Sequence, residues 1–226
     1  KLAKAKRAAR KARGLTRKQV QSVKTIAKNQ IMKVAENKVF GPDPVENEQL
    51  FHNKTFYKEN LLACKQGVRD PNNLTGPDAR IGDEIYLRNV NVRFWLSNKL
   101  DRPNVMYKLY LFWYDSTVTL SDAECYFTQT NKMLDRVNNE NISVIDQKTI
   151  FSKEMYLNGT EKFEHSQLCT LNKSWKGKKV TYSEGGAVPK FKTLGFMVVC
   201  YDAFGTLQTD NIASMAYNIR VKFADP

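Results

Sequence analysis

Between Lys1 and Ala35 the chain contains no aspartate or glutamate; Glu36 is its first acidic residue. Histidine is almost as scarce, with only His52 and His165, and neither stands in a motif for metal binding or nucleophilic catalysis. The sequence also lacks a glycine-rich phosphate loop followed by Lys-Ser/Thr, a G-x-S-x-G elbow and an H-E-x-x-H pair. These absences remove the residue patterns of nucleotide hydrolases, serine hydrolases and zinc proteases. Carboxylate pairs such as Asp83-Glu84 and Asp122/Glu124 occur, but 23 acids in one chain produce some by chance. No catalytic residue, cofactor or enzymatic activity is expected.

Cysteine is sparse as well. Cys64, Cys125, Cys169 and Cys200 stand 61, 44 and 31 residues apart, which matches no zinc or dithiol spacing, so reduced and buried thiols are expected. Asp78, Asp83, Asp202 and Asp210 fall in loop-like segments. They offer the oxygen donors a hard cation takes, yet solvated loop aspartates are the simpler reading and no metal is expected. No apolar run approaches the roughly eighteen residues of a membrane span, and no apolar stretch follows the basic start as in a secretion signal. Neither export nor a membrane partner is expected.

What the chain does have is positive charge, in one place. Residues 1–40 hold 13 Lys/Arg against one acid, a net +12 of the chain's +13, which leaves 23 cations and 22 acids in the other 186 residues. A cluster of unpaired cations attracts polyanions, nucleic acid first. Lys/Arg alternating with Ala over residues 1–14 has nothing to bury and is expected to be disordered unless bound. From Leu15 the pattern changes. Thr16-Arg17-Lys18-Gln19 is a capping box with Leu15 and Val20 at the staple positions, so a helix over about 16–36 is expected. Val20, Val23, Ala27, Ile31 and Val34 draw an apolar stripe along it, and Arg17, Gln21, Lys24 and Lys28 form a row beside the stripe. Pro42 and Pro44 forbid its continuation.

Period-two alternation then takes over. In "EIYLRNVNVRFWLSN" the apolar phase switches between Leu87 and Val90, which predicts a bulge near Arg88-Asn89. "VMYKLYLFWYD" is apolar on both faces, as a central strand is. Further strands are predicted at "ISVIDQKTIFS", around "KKVTYS", at "KTLGFMVVCYD" and at "SMAYNIRVKFAD". Residues 121–136 read as helical within a long connection. Trp95 and Trp113, taken to lie on neighbouring strands, read as packing groups. Arg93 and Trp95 share a strand face, which would suit single-stranded nucleic acid if that face were exposed. Many strands without strand-helix alternation predict an all-β antiparallel sandwich over 41–226, preceded by a basic arm over 1–40.

One order of segments is distinctive: a basic Ala/Arg-rich arm, then "LTRKQVQSVKTIAKNQIMKVAENKVF", "RIGDEIYLRNVNVRFWL", "YKLYLFWYD", "VIDQKTIF" and "YNIRVKFAD". In this the chain resembles the capsid proteins of small circular single-stranded DNA viruses that encode a rolling-circle replication initiator, a group related in capsid fold to geminiviruses, nanoviruses and circoviruses. It is also similar to the coat proteins of satellite RNA viruses of plants. The likeness spans nearly the whole chain, except residues 121–136 and 157–190. It implies a single eight-stranded jelly roll whose copies close into an icosahedral shell, with the arm on a packaged single-stranded genome. The nucleic-acid contacts would then fall on Lys1, Lys4, Lys6, Arg7, Arg10, Lys11 and Arg13, and on Arg17, Lys18, Lys24 and Lys28. The implied locations are the virion and the host nucleus, since "KAKRAARKAR" also reads as a nuclear import signal and makes an import receptor a further partner. Two other classes remain open: a monomeric basic nucleic-acid-binding β-domain protein, and a lectin-like jelly roll whose basic start binds membrane. The second lacks the large apolar anchors of interfacial helices.

If the arm carries the polyanion contacts, single-strand binding through up to twelve cations gives a log–log salt slope approaching about −8. Deleting residues 1–14, which hold seven of those cations, is expected to cut that slope by more than half in a salt titration of oligonucleotide binding.

Overall fold

The computed structural model describes residues 15–42, 44–68, 79–102, 104–151, 166–204 and 207–225, the side chains at 28, 32 and 33 excepted. It divides into two compact units, Lys1–Glu36 with Pro226, and Asn37–Asp225. In the first unit the described element is helix α1, Arg17–Val34. The second is built from nine strands: β1 Glu36–Phe40, β2 Val45–Phe51, β3 Thr55–Lys58, β4 Glu84–Asn98, β5 Val105–Asp115, β6 Ser143–Phe151, β7 Ser166–Thr181, β8 Lys192–Asp202 and β9 Asn211–Asp225. A single helical turn, α2, spans Asp122–Cys125.

The strands form two sheets. One runs β1-β9-β4-β7 with β2 also on β9, and the other runs β3-β8-β5-β6. The chain passes between the sheets after β2, β3, β4, β6, β7 and β8, so each sheet mixes strands from both halves of the sequence. That winding, β2-β9-β4-β7 over β3-β8-β5-β6, is an antiparallel jelly roll.

Nine strands appear, where eight were implied, because the strand on the outer side of β9 is in two pieces. β2 pairs with the first half of β9, from Val45↔Tyr217 to Phe51↔Asn211. β1 lies along the second half, with the Phe40 ring 5.2 Å from that of Phe223. Between them Pro42 and Pro44 cannot donate to a ladder. Gly41 passes so close to β9 that a Cβ there would collide with the Ile219 carbonyl oxygen. Residues 37–40, read from sequence as arm, therefore belong to the sandwich.

Alternation places the core. Ile85, Leu87, Val90, Val92, Phe94 and Leu96 of β4 are buried, with the phase change sitting where the register shifts between Leu87 and Asn89. They face Tyr107, Leu109 and Leu111 of β5 and Phe196, Val198 and Cys200 of β8. Phe196 is the hub, its ring 5.0 Å from Phe94 edge-on, 5.1 Å from Tyr217 and 6.0 Å from Phe56. All four cysteines are buried. Burial pushes the Cys64 thiol up to about 11 and the Cys125 thiol up to about 12, which keeps both protonated and unreactive.

The outer face of the β3-β8-β5-β6 sheet is covered by its own chain. Tyr110, Phe112 and Tyr114 of β5 and Met197 of β8 pack under the connection that carries Leu120, Cys125, Tyr126 and Ile142. This is why β5 is apolar on both faces. The connection holds one helical turn instead of the longer helix read over 121–136, because side chains tie it down at intervals. Asn131 caps the turn that contains Met133 and Leu134. Lys132 is buried and bonds the Asn53 carbonyl at 3.1 Å and the Asp122 carboxylate at 2.6 Å. Asp122 also accepts the Tyr57 hydroxyl at 2.6 Å.

Burial on its own would raise the Asp122 pKa; the bonds from Lys132 and Tyr57 outweigh it and hold the carboxyl below its ordinary 3.8. A depressed folded-state value stabilises the fold above pH 3.8 and that contribution is lost as pH falls through the lowered value. Lys132→Ala is expected to cost about 1–3 kcal/mol in denaturant unfolding. Asp122→Asn is expected to remove part of the acid-induced loss of stability below about pH 4.

Candidate nucleic-acid interface

The basic helix forms where the capping box sets it. Gln19 N–H donates to Thr16 Oγ1 at 3.3 Å, and Thr16 N–H donates to Gln19 Oε1 at 2.9 Å. Two groups that a helix start leaves unpaired are thus satisfied. The first turn has no acidic residue, and Arg17 and Lys18 stand where the helix dipole is itself positive. That arrangement repels in isolation and gains when an anion lies alongside.

Of the eleven residues expected to contact nucleic acid, Lys1, Lys4, Lys6, Arg7, Arg10, Lys11 and Arg13 lie outside the described residues, as does the expectation of disorder over 1–14. Arg17, Lys18 and Lys24 are exposed on α1, and Lys28 lies within the helix with its side chain outside the described set. The helical row brings Arg17, Gln21, Lys24 and Lys28 to one flank. Beside it Val23, Ile31 and Val34 are exposed. Helix and sandwich are separate units, and the site is described for each by itself.

In the sandwich, the two tryptophans part company. β4 and β5 are consecutive but lie in opposite sheets, so Trp95 and Trp113 are not on neighbouring strands. Trp113 is a packing group, buried, with its ring 5.8 Å from that of Trp175 and the Lys178 ammonium over it. Trp95 points away from the core and is 57% exposed. Arg93 is exposed on the same face. Sequence reasoning missed Arg220 and Lys222, which are exposed on β9. The signal was present: they are the polar phase of "YNIRVKFAD", whose apolar phase was the one read.

The loop aspartates are engaged elsewhere. Asp83 pairs with the buried Arg80 at 3.1 Å, and Arg102 faces both Asp202 at 3.4 Å and Asp210 at 3.7 Å. Asp78 lies outside the described residues. No group of three or more metal-ligating side chains occurs among the described residues. His52 is buried, its Nδ1 accepting the Asp202 N–H at 3.3 Å and its ring 4.5 Å from Tyr201. Burial lowers its pKa, so it is a neutral packing group near pH 7. His165 lies outside the described residues.

No family model matches the chain, and no curated protein matches it. Among solved structures it is similar to that of broad bean stain virus, at 9% identity and a TM-score of 0.29, over 83% of this chain and 84% of that one. It is similar to the native virion of Kashmir bee virus at acidic pH, at 10% identity and 0.29, over 84% and 73%. It is also similar to a CocE/NonD family hydrolase from Staphylococcus aureus, at 9% identity and 0.33, over 84% of this chain and 37% of that one. Scores at this level carry no argument about what the chain does. Its fold rests on its own strand order.

Proposed function

We propose that the chain is a viral capsid subunit that self-assembles into a small icosahedral shell and packages single-stranded nucleic acid, DNA in preference to RNA, through its basic N-terminal segment. The observation that carries this reading is the separation of charge from fold: +12 on residues 1–40, against a jelly-roll body with 23 cations and 22 acids in the remainder of the chain. An electrically balanced body lets many copies pack side by side without mutual repulsion. A basic segment on each then brings the charge that a polyphosphate needs. In a sixty-copy shell about 720 such charges converge, enough to neutralise on the order of 720 phosphates.

In this reading Lys1, Lys4, Lys6, Arg7, Arg10, Lys11 and Arg13 are the main phosphate contacts, and Arg17, Lys18, Lys24 and Lys28 extend them along α1. The exposed stripe of α1 packs beneath the shell against other copies. The chain has no catalytic role. Before assembly the same basic cluster serves as a nuclear import signal, since import needs it accessible and packaging encloses it.

Electron microscopy of the purified protein is expected to reveal round particles of uniform size, and the nucleic acid within them to be degraded by DNase and spared by RNase after the particles are opened. Protein that stays monomeric at every salt concentration would point instead to a nucleic-acid-binding monomer and overturn the capsid reading. RNase-sensitive contents would reassign the cargo. Changing Lys4, Lys6, Arg7, Arg10, Lys11 and Arg13 together to Ala is expected to leave the protein in the cytoplasm of expressing cells; continued nuclear entry would reject the import role.

A further inference from the structure

The two sheets treat their outer faces differently. One is roofed by the connection over residues 116–142. The other, the outer face of β9-β4-β7, presents side chains that are exposed or partly so, and among them is a tryptophan. Trp95 stands in the ladder between Ala216 of β9 and Leu168 of β7, and Leu168 is itself 83% exposed. The small Ala216 leaves the indole bare on one side, where an open depression of about 310 Å3 is bounded by Arg93, Trp95, Leu168 and Asn218.

Charge accompanies the ring. Arg93 lies two residues along β4 on the same face, its register partner on β9 being Asn218. Arg220 stands opposite Asn91 and Lys222 opposite Asn89. At about 3.4 Å per residue the track from Trp95 to the level of Lys222 is about 20 Å long. Arg93, Arg220 and Lys222 have no acidic partner within ion-pair distance among the described residues. Glu46, on the rim by β2, is the acid that borders the depression. Asn89 and Asn91 are held flat by bonds to Asn172 of β7, so no bulky side chain interrupts the track.

We propose that this face is a second binding surface for single-stranded nucleic acid, with Trp95 stacking on a base and Arg93, Arg220 and Lys222 on successive phosphates. A lone exposed aromatic beside unpaired cations on a flat polar sheet is the arrangement that sequence-tolerant single-strand binding uses. A membrane would require several apolar anchors, and here the indole has only Leu168 beside it. The inference rests on the proposed packaging function and deepens it. The basic segment gathers the polymer by charge alone; the sheet face holds individual nucleotides by their bases. The face must then look toward the shell's interior.

The test uses the full chain and a short thymidine oligonucleotide, with binding followed by fluorescence anisotropy at high salt, where the electrostatic part is weakest. Trp95→Ala is expected to weaken binding about 5- to 150-fold without changing the salt slope. Trp95→Phe is expected to recover most of the loss. Replacing Arg93, Arg220 and Lys222 together by Gln is expected to reduce the slope by about 2. Melting temperatures check that each variant is folded, which exposed positions permit. Binding by folded Trp95→Ala within about twofold of the parent overturns the inference. So does a Trp95→Ala protein that binds normally but no longer forms particles, because that outcome assigns the face to a contact between copies. If the parent neither forms particles nor binds oligonucleotide, the packaging function itself has failed. If the parent does both and Trp95→Ala matches it, only the second surface has.

Discussion

Side-chain alternation on β4 and β9 is the constraint on which the rest of this structure depends. Each strand sends every second residue into the sandwich, and on both strands those residues are apolar over nearly the full length. A slip of one residue in their pairing would turn the whole inner set to solvent and bury Arg93, Arg220 and Lys222 instead. Register is therefore fixed by the cost of burying cations as firmly as by the gain from burying Phe94 and Ile219. The bulge between Leu87 and Asn89 is where this demand is renegotiated, since both of β4's partners shift there together.

That constraint explains which parts of the fold were legible. β4, β5, β8 and β9 carry uninterrupted alternation or long apolar runs, and their limits in the structure fall within a few residues of those read from sequence. β2 hid because "VENEQLF" offers few apolar positions and Asn47 adopts a positive φ of 59° that breaks the period. β7 hid over its first half and middle because "NKSWKGKK" is polar in both phases, as befits the edge of a sheet. The one-turn helix α2 was overread because amphipathic spacing in 121–136 reports what packs against Tyr126 and Met133, and the local bonds of Asn131 and Lys132 decide the backbone.

The same limits apply to the site. Composition located the cations of the first forty residues without any structural help, since charge asymmetry is a property of sequence alone. Which of two tryptophans would be exposed was not legible. β4 and β5 are joined by only a few residues, and a hairpin is the simple inference from such a short connection. In a jelly roll that corner instead carries the chain from one sheet to the other, and it separates Trp95 from Trp113 by the thickness of the core. The basic helix and the tryptophan-bearing face thus answer to different rules, one electrostatic and long-ranged, the other a matter of which rung a ring occupies.

The central place of β9 has a bearing on how the molecule is made. This strand, the last of the nine in chain order, is clasped by β4 on one side and by both β1 and β2 on the other. The first two strands to leave a ribosome therefore wait for more than 150 residues of synthesis before their partner exists. Pairings this distant in sequence close slowly, on the millisecond-to-second scale of all-β domains. Until they do, β1 and β2 have open edges while the cationic segment ahead of them is already free to meet polyanions. Assembly competence arrives only with the final strand, which makes the finished jelly roll a built-in timer separating translation from encapsidation.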